Sequence, residues 1–245
     1  MKHDGQKIVA AVLYDCQMAQ IADRAGVDVV SAGDSVGVAL WGHASEAELT
    51  TDQMLLVCRA VRRGARRALV SCDVPLSALH QGRDAALHAA ALLARDGGAD
   101  LVKVDVAASS VDLVRSLTEA GVAVWAQMGR TGDVDAPTVD RFVRDAQALE
   151  VAGAAMIDFR HSGPVAGPAV AAAVRIPVLG GLGGGPWLDG RVRSIAAALG
   201  YSAAAAGDST DRYANVAAAA LTAIEALCDD VRAARPLRGE PAAGS

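Results

Sequence analysis

Seven short, unbroken apolar runs separated by longer stretches of helical periodicity predict a (β/α)8 barrel for this 245-residue chain. The runs are 8–13 (IVAAVL), 28–32 (DVVSA), 68–72 (ALVSC), 100–104 (DLVKV), 122–127 (VAVWAQ), 154–158 (AAMID) and 177–181 (PVLGG), and a weaker eighth is read at 202–206 (SAAAA). Unbroken apolarity suits strands covered on both faces, as in a parallel sheet. Helices are expected at 15–25, 50–63, 83–96, 109–120, 138–152, 166–174, 190–199 and 210–233. GGAD, EAGV and VAGAA each put Gly between a helix and the next strand, where a left-handed stop is favoured. An open doubly wound sheet is the competing architecture, but no GxGxxG follows the first strand, and the glycine run GGLGGG comes only after the seventh.

Hydrophobic residues make up 52% of the chain and aromatics only 3%, so Ala and Val must fill most of the core. A single barrel domain over 1–234 is expected, with 235–245 (RPLRGEPAAGS) as a disordered tail. The net charge of −5, without a Lys/Arg block, argues against a nucleic-acid partner, and RAVRRGARRA (59–68) reads as a solvated helix end. No apolar stretch reaches the length of a membrane span, and 8–13 is too short for a signal segment. Cys16, Cys58, Cys72 and Cys228 show no CxxC spacing, which argues against a zinc site or disulfide framework and suits a cytoplasmic protein.

In a barrel of this class the active site lies at the C-terminal ends of the strands. Chemistry-bearing residues collect at those ends: Tyr14 and Asp15, Asp34 and Ser35, Asp73, Lys103 and Asp105, Gln127, then Asp158, Arg160 and His161. Asp34-Ser35 taken alone reads as a turn or helix cap. With Asp73 and Lys103 at the same end, it reads as one corner of a site. Lys103 inside an apolar strand needs a partner, and Asp105, on the same strand face, is one candidate. Asp158 and Arg160 also share a face. They form an internal ion pair, or Arg160 binds an additional anionic group on a substrate.

The stretches YDCQMAQIADRAGVDVVSAGDSVGVALWGH, AVRRGARRALVSCDVP, GGADLVKVD, DAQALEVAGAAMI and RIPVLGGLGGG resemble, in order and spacing, the ketopantoate hydroxymethyltransferase family of the phosphoenolpyruvate mutase/isocitrate lyase superfamily. The resemblance runs from about Lys7 to Tyr201. It implies a homo-oligomeric, Mg2+-dependent enzyme that adds the one-carbon unit of methylenetetrahydrofolate, as co-substrate, to a small 2-oxoacid. It implies that Asp34 and Asp73 serve the metal and, through it, the substrate. Asp105, one methylene shorter than the family's usual Glu, falls near the metal shell, and Ser35 and Lys103 contact the substrate. The chemistry is coherent: Mg2+ takes hard oxygen ligands, chelation polarises the keto group, and Lys103 offers a cation near the developing enolate charge.

Two positions depart from the family. Gln127 stands where a His is usual, and Arg160 stands where the family has its glutamate general base. Arg does not accept a proton near neutral pH. The loop TGDVDAPT is also short. Gln127 and Arg160 are therefore expected to line the substrate, and Lys103, Asp105 and Arg160 to carry the chemistry. The resulting expectation is hydroxymethyl transfer or related aldol-type C–C bond chemistry on a 2-oxoacid. The alternatives are a diverged lyase or transferase for a more anionic substrate and a non-catalytic ligand-binding homologue.

Overall fold

The computed structural model describes residues 2–106, 110–129 and 136–239. Eight strands, β1 (Ile8–Leu13), β2 (Val29–Ala32), β3 (Leu69–Asp73), β4 (Leu101–Asp105), β5 (Val124–Gly129), β6 (Met156–Arg160), β7 (Val178–Gly180) and β8 (Gly190–Ser194), close in chain order into a parallel barrel. Closure is made by β1 against β8, with Ile8 opposite Gly190 and Val12 opposite Ser194. Between the strands run α1 (Cys16–Ala25), α2 (Val36–Leu40), α3 (Thr51–Gly64), α4 (Leu76–His80), α5 (Arg83–Arg95), α6 (Val111–Glu119), α7 (Ala136–Val151) and α8 (Gly163–Ala173). The barrel predicted from the sequence is the observed fold.

Two-sided burial explains the unbroken apolar runs. Val30, Val70, Val102, Val104, Val124 and Ile157 are wholly buried on the outer, helix-covered faces of their strands. On the inner faces, Ile8, Ala10, Val29, Leu101, Trp125, Met156, Leu179 and Val192 form one apolar cluster. Followed two residues at a time toward the strands' C-terminal ends, that inner parity meets Ser31, Ser71, Asp73, Lys103, Asp105, Gln127, Asp158 and Arg160. The barrel thus has an apolar floor and a polar upper storey. Helix ends follow ordinary rules: Asp15 caps α1 by accepting from the Met18 N–H at 2.8 Å, and Thr50 with Gln53 forms a capping box on α3.

The eighth strand is not where the sequence placed it. β8 falls in the segment expected to be helical at 190–199, and the 202–206 run lies in a 3-10 turn at Ala203–Gly207. The reason is one-sided burial: Gly190 and Val192 are buried while Arg191 and Arg193 are exposed, so GRVRS alternates where the other strands do not. SAAAA, for its part, has none of the β-branched or aromatic residues that pack well on a pleated sheet.

The chain divides into two compact units, Met1–Ser194 and Ile195–Ser245. All eight strands of the barrel lie in the first. The second holds α9 (Ile195–Ala198), the 3-10 turn and α10 (Val216–Arg232), whose start is capped by Asn215 accepting from the Ala218 N–H at 3.0 Å. Of the expected tail, Arg235 and Arg238 pair with Asp230 at 2.7 and 3.4 Å. Residues 240–245, and most of the short loop TGDVDAPT, lie outside the described residues. Among the described residues no helix is long and apolar enough to cross a membrane.

Candidate active site

β2 runs into Gly33-Asp34-Ser35, and α2 begins one residue later. A Cβ at position 33 would strike the Val12 side chain, so glycine lets the chain turn tightly against β1. Ser35 sits at the N-cap of α2 without capping it. Its hydroxyl is instead hydrogen-bonded with the Tyr14 hydroxyl at 3.0 Å. Asp73, ending β3, accepts from the Asp34 backbone N–H at 3.3 Å and from the Ser31 hydroxyl at 3.4 Å. Burial, then the negative charges of Asp73 and Glu46, push the Asp34 carboxyl up to about 8, although Lys103 pulls the other way. Two carboxyls held together out of water keep a proton unless a cation compensates them.

β4 to β6 supply the opposite charge. The Lys103 ammonium meets Asp158 Oδ2 at 3.1 Å and lies over the Trp125 ring, 5.3 Å from its centroid. Burial opposes its charge, but Asp73, Asp158 and Asp34 together outweigh burial and hold the ammonium above its ordinary range. Asp105 accepts from Gln127 Nε2 at 3.0 Å across the β4–β5 pairing. Asp158 Oδ1, the Ser71 hydroxyl and Trp125 Nε1 are buried without a hydrogen-bond partner.

One of the two alternatives read from the sequence for Asp158 and Arg160 is decided here. The internal pair between Asp158 and Arg160 does not form, because Lys103 occupies Asp158. Arg160 is exposed at the end of β6, with no partner among the described residues. Among the described residues no three His, Cys, Asp or Glu side chains stand together as a metal site. Asp34 and Asp73 are brought together, while Asp105 turns to Gln127. That pair still fits Mg2+, which binds through one or two carboxylates and keeps several waters. His161 follows β6 with φ of 50°, so the strand has ended there, and its ring lies against Gly183.

Sequence reasoning missed Asp158 as the partner of Lys103, and Ser31 and Ser71 as polar members of the inner storey. The available signal was parity: each interrupts an apolar strand on the face that carries Asp73 and Lys103.

Residues 1–235 match the family model described as ketopantoate hydroxymethyltransferase. The chain is 33% identical to the 3-methyl-2-oxobutanoate hydroxymethyltransferase of Geobacillus kaustophilus, with 94% of this chain and 86% of that protein covered. It is 32% identical to the protein of the same name from Methylobacillus flagellatus, with 96% and 92% covered. Among solved structures, a 2,3-dimethylmalate lyase of the PEP mutase/isocitrate lyase superfamily superposes with a TM-score of 0.64 at 15% identity, covering 100% of this chain and 88% of that one. A phosphonopyruvate hydrolase in complex with oxalate and Mg2+ gives 0.58 at 15% identity, with 99% and 88% covered. The likeness to these two structures is one of fold.

Proposed function

The chain belongs to the ketopantoate hydroxymethyltransferase family, and from that premise we propose that it is a Mg2+-dependent enzyme acting on a 2-oxoacid through an enolate. The observation that carries this reading is the buried pair Asp34 and Asp73 beside the Lys103 ammonium, an arrangement short of positive charge at the two acids and charge-matched at Lys103 and Asp158. Asp34 and Asp73 would hold the metal, with Asp105 close by or reached through water. The bound ion would polarise the keto oxygen. Ser35, positioned by Tyr14, and Lys103 bind the 2-oxoacid, and Lys103 stands near the oxygen on which charge develops.

The far side of the site sets the substrate. Gln127 lines it from β5, and Arg160 offers an uncommitted guanidinium at the end of β6, suited to a second carboxylate by a bidentate contact. The favoured substrate is therefore a 2-oxoacid with a further anionic group, joined or cleaved at the carbon beside the keto group. Among the described residues none singles out methylenetetrahydrofolate as the second reactant, so it enters as an arm of the experiment. The protein is further read as a cytoplasmic homo-oligomer. Its four cysteines are free, and α10 exposes Leu221, Ile224, Leu227 and Val231, a face that self-association would cover and whose assembly mass light scattering reads.

The test is deuterium exchange at the carbon beside the keto group, followed by NMR in D2O with Mg2+. Its substrates are 3-methyl-2-oxobutanoate and a 2-oxo dicarboxylate, each with and without methylenetetrahydrofolate. Exchange is expected to require Mg2+, to be faster for the dicarboxylate, and to be accompanied by little hydroxymethyl product. Binding without any exchange would overturn the enzymatic reading in favour of a ligand-binding role. Efficient hydroxymethyl transfer to 3-methyl-2-oxobutanoate would overturn the assignment of a second anionic group.

A further inference from the structure

We propose that Asp158 takes the proton from the carbon beside the keto group, the task for which Arg160 is unfit. The inference rests on the enolate reading above and names the base within it. Asp158 is 3% exposed and sits on the inner face of β6, one inward position below Arg160. Its two oxygens differ. Oδ2 meets the Lys103 ammonium at 3.1 Å, whereas Oδ1 is buried without a hydrogen-bond donor. A bare carboxylate oxygen in a protein interior is costly, and such atoms persist where a site uses them.

The other acids of the polar storey are committed. Asp73 accepts from the Asp34 N–H and the Ser31 hydroxyl, the Asp34 carboxyl lies against that of Asp73, and Asp105 accepts from Gln127. Asp158 combines a buried acceptor that no donor satisfies with an adjacent fixed cation. Lys103 pairs with Asp158 and stands opposite Asp73 in the β3–β4 register, so a 2-oxoacid that binds Lys103 beside Asp73 is brought to the end of the barrel that holds Asp158.

The step balances without a further reactant. The C–H bond beside the keto group breaks, and its electron pair becomes the C=C bond of the enolate. The carbonyl π pair moves onto oxygen, and the proton goes to Asp158 Oδ1, leaving a neutral carboxyl. Lys103, no longer matched by a full negative charge on Asp158, then faces the enolate oxygen. The transfer of charge from Asp158 to the enolate keeps the storey balanced throughout, which is the physical reason to place base and cation in contact.

A structural counterion and a base respond differently to mutation. Asp158→Asn keeps the shape and removes the basic oxygen. Exchange in D2O is expected to fall about a hundredfold or more, while calorimetric affinity for oxalate with Mg2+ stays within a few-fold. Asp158→Ala with added formate should regain exchange in proportion to formate concentration, a rescue that a purely structural role does not give. Should Asp158→Asn melt below the assay temperature, Asp158→Glu carries the test. It retains the charge against Lys103 but displaces the acceptor by a methylene, and should fold and bind oxalate while losing at least about tenfold in exchange. Exchange unchanged in a folded Asp158 variant overturns the proposal and leaves the enolate reading intact. Equal loss of binding and exchange, with no formate rescue, overturns it in favour of a counterion. Absence of exchange in the wild-type protein overturns the enolate reading itself and this inference with it.

Discussion

On β2 and β3 two carboxyls are buried against each other, whereas between β4 and β6 a lysine and an aspartate are buried as a matched pair. The first arrangement stores an electrostatic deficit: Asp34 is driven up to about 8 by burial and by Asp73. The second has none to store, because Lys103 and Asp158 compensate each other at 3.1 Å. An unbalanced pair invites a divalent cation, while a balanced pair is ready to exchange charge with a substrate. The acids of the first arrangement and Lys103 of the second lie on segments that resemble the family's motifs, whereas Asp158 lies next to Arg160, which departs from them.

The largest effect expected from breaking the contrast is at Asp73. Asp73→Ala removes one acid of the pair and the acceptor for the Asp34 N–H and the Ser31 hydroxyl. Mg2+-dependent binding of a 2-oxoacid should vanish in calorimetry, and unchanged affinity with and without chelator would refute the metal assignment. Arg160 sharpens the comparison from the other side. Being exposed and unpaired among the described residues, it should be replaceable by Gln without loss of fold. Arg160→Gln should weaken dianionic 2-oxoacids by about 1.5–3 kcal/mol, more than tenfold, and monoanionic ones little. Equal loss for both ligand classes would return Arg160 to a general electrostatic role.

The last effect is on stability rather than on ligand binding. Asp34 has a carboxyl raised from 3.8 to about 8 in the folded chain, so between those values the folded state keeps a proton that the unfolded state has released. Its contribution to stability is full at low pH, falls as pH rises through that window, and levels off above about 8. In chelator, the unfolding free energy of the wild-type protein should therefore fall from pH 5 to pH 8, read as a falling thermal midpoint. Asp34→Asn, which cannot ionise, should flatten the slope. An unchanged slope in that variant would show that the paired acids are not the source.

Much of this molecule is written locally. Two-sided burial makes β1 to β7 legible as apolar runs, because both faces of each strand face protein and no solvent-facing alternation intrudes. β8 was illegible for the converse reason: Arg191 and Arg193 on its exposed face break the apolarity by which strands were recognised. The acids and Lys103 were legible because a charge inside an apolar strand contradicts its surroundings, and the strand period of two put them on one face.

Pairing across the barrel was not legible. From spacing alone, Asp158 is as near to Arg160 as Lys103 is to Asp105, and both same-strand pairs looked natural. The closed sheet decided otherwise, joining Lys103 to Asp158 and Asp105 to Gln127. Residues two apart on a strand point the same way side by side, whereas the stagger of a closed barrel aims side chains from different strands at one another across its interior. Sequence by itself therefore determined that charged residues such as Asp73, Lys103 and Asp105 would stand on one inner face, since strand parity is a local property. Only the tertiary structure decided which of them meet, leaving Arg160 open toward solvent and Asp158 with a bare oxygen beside a buried cation.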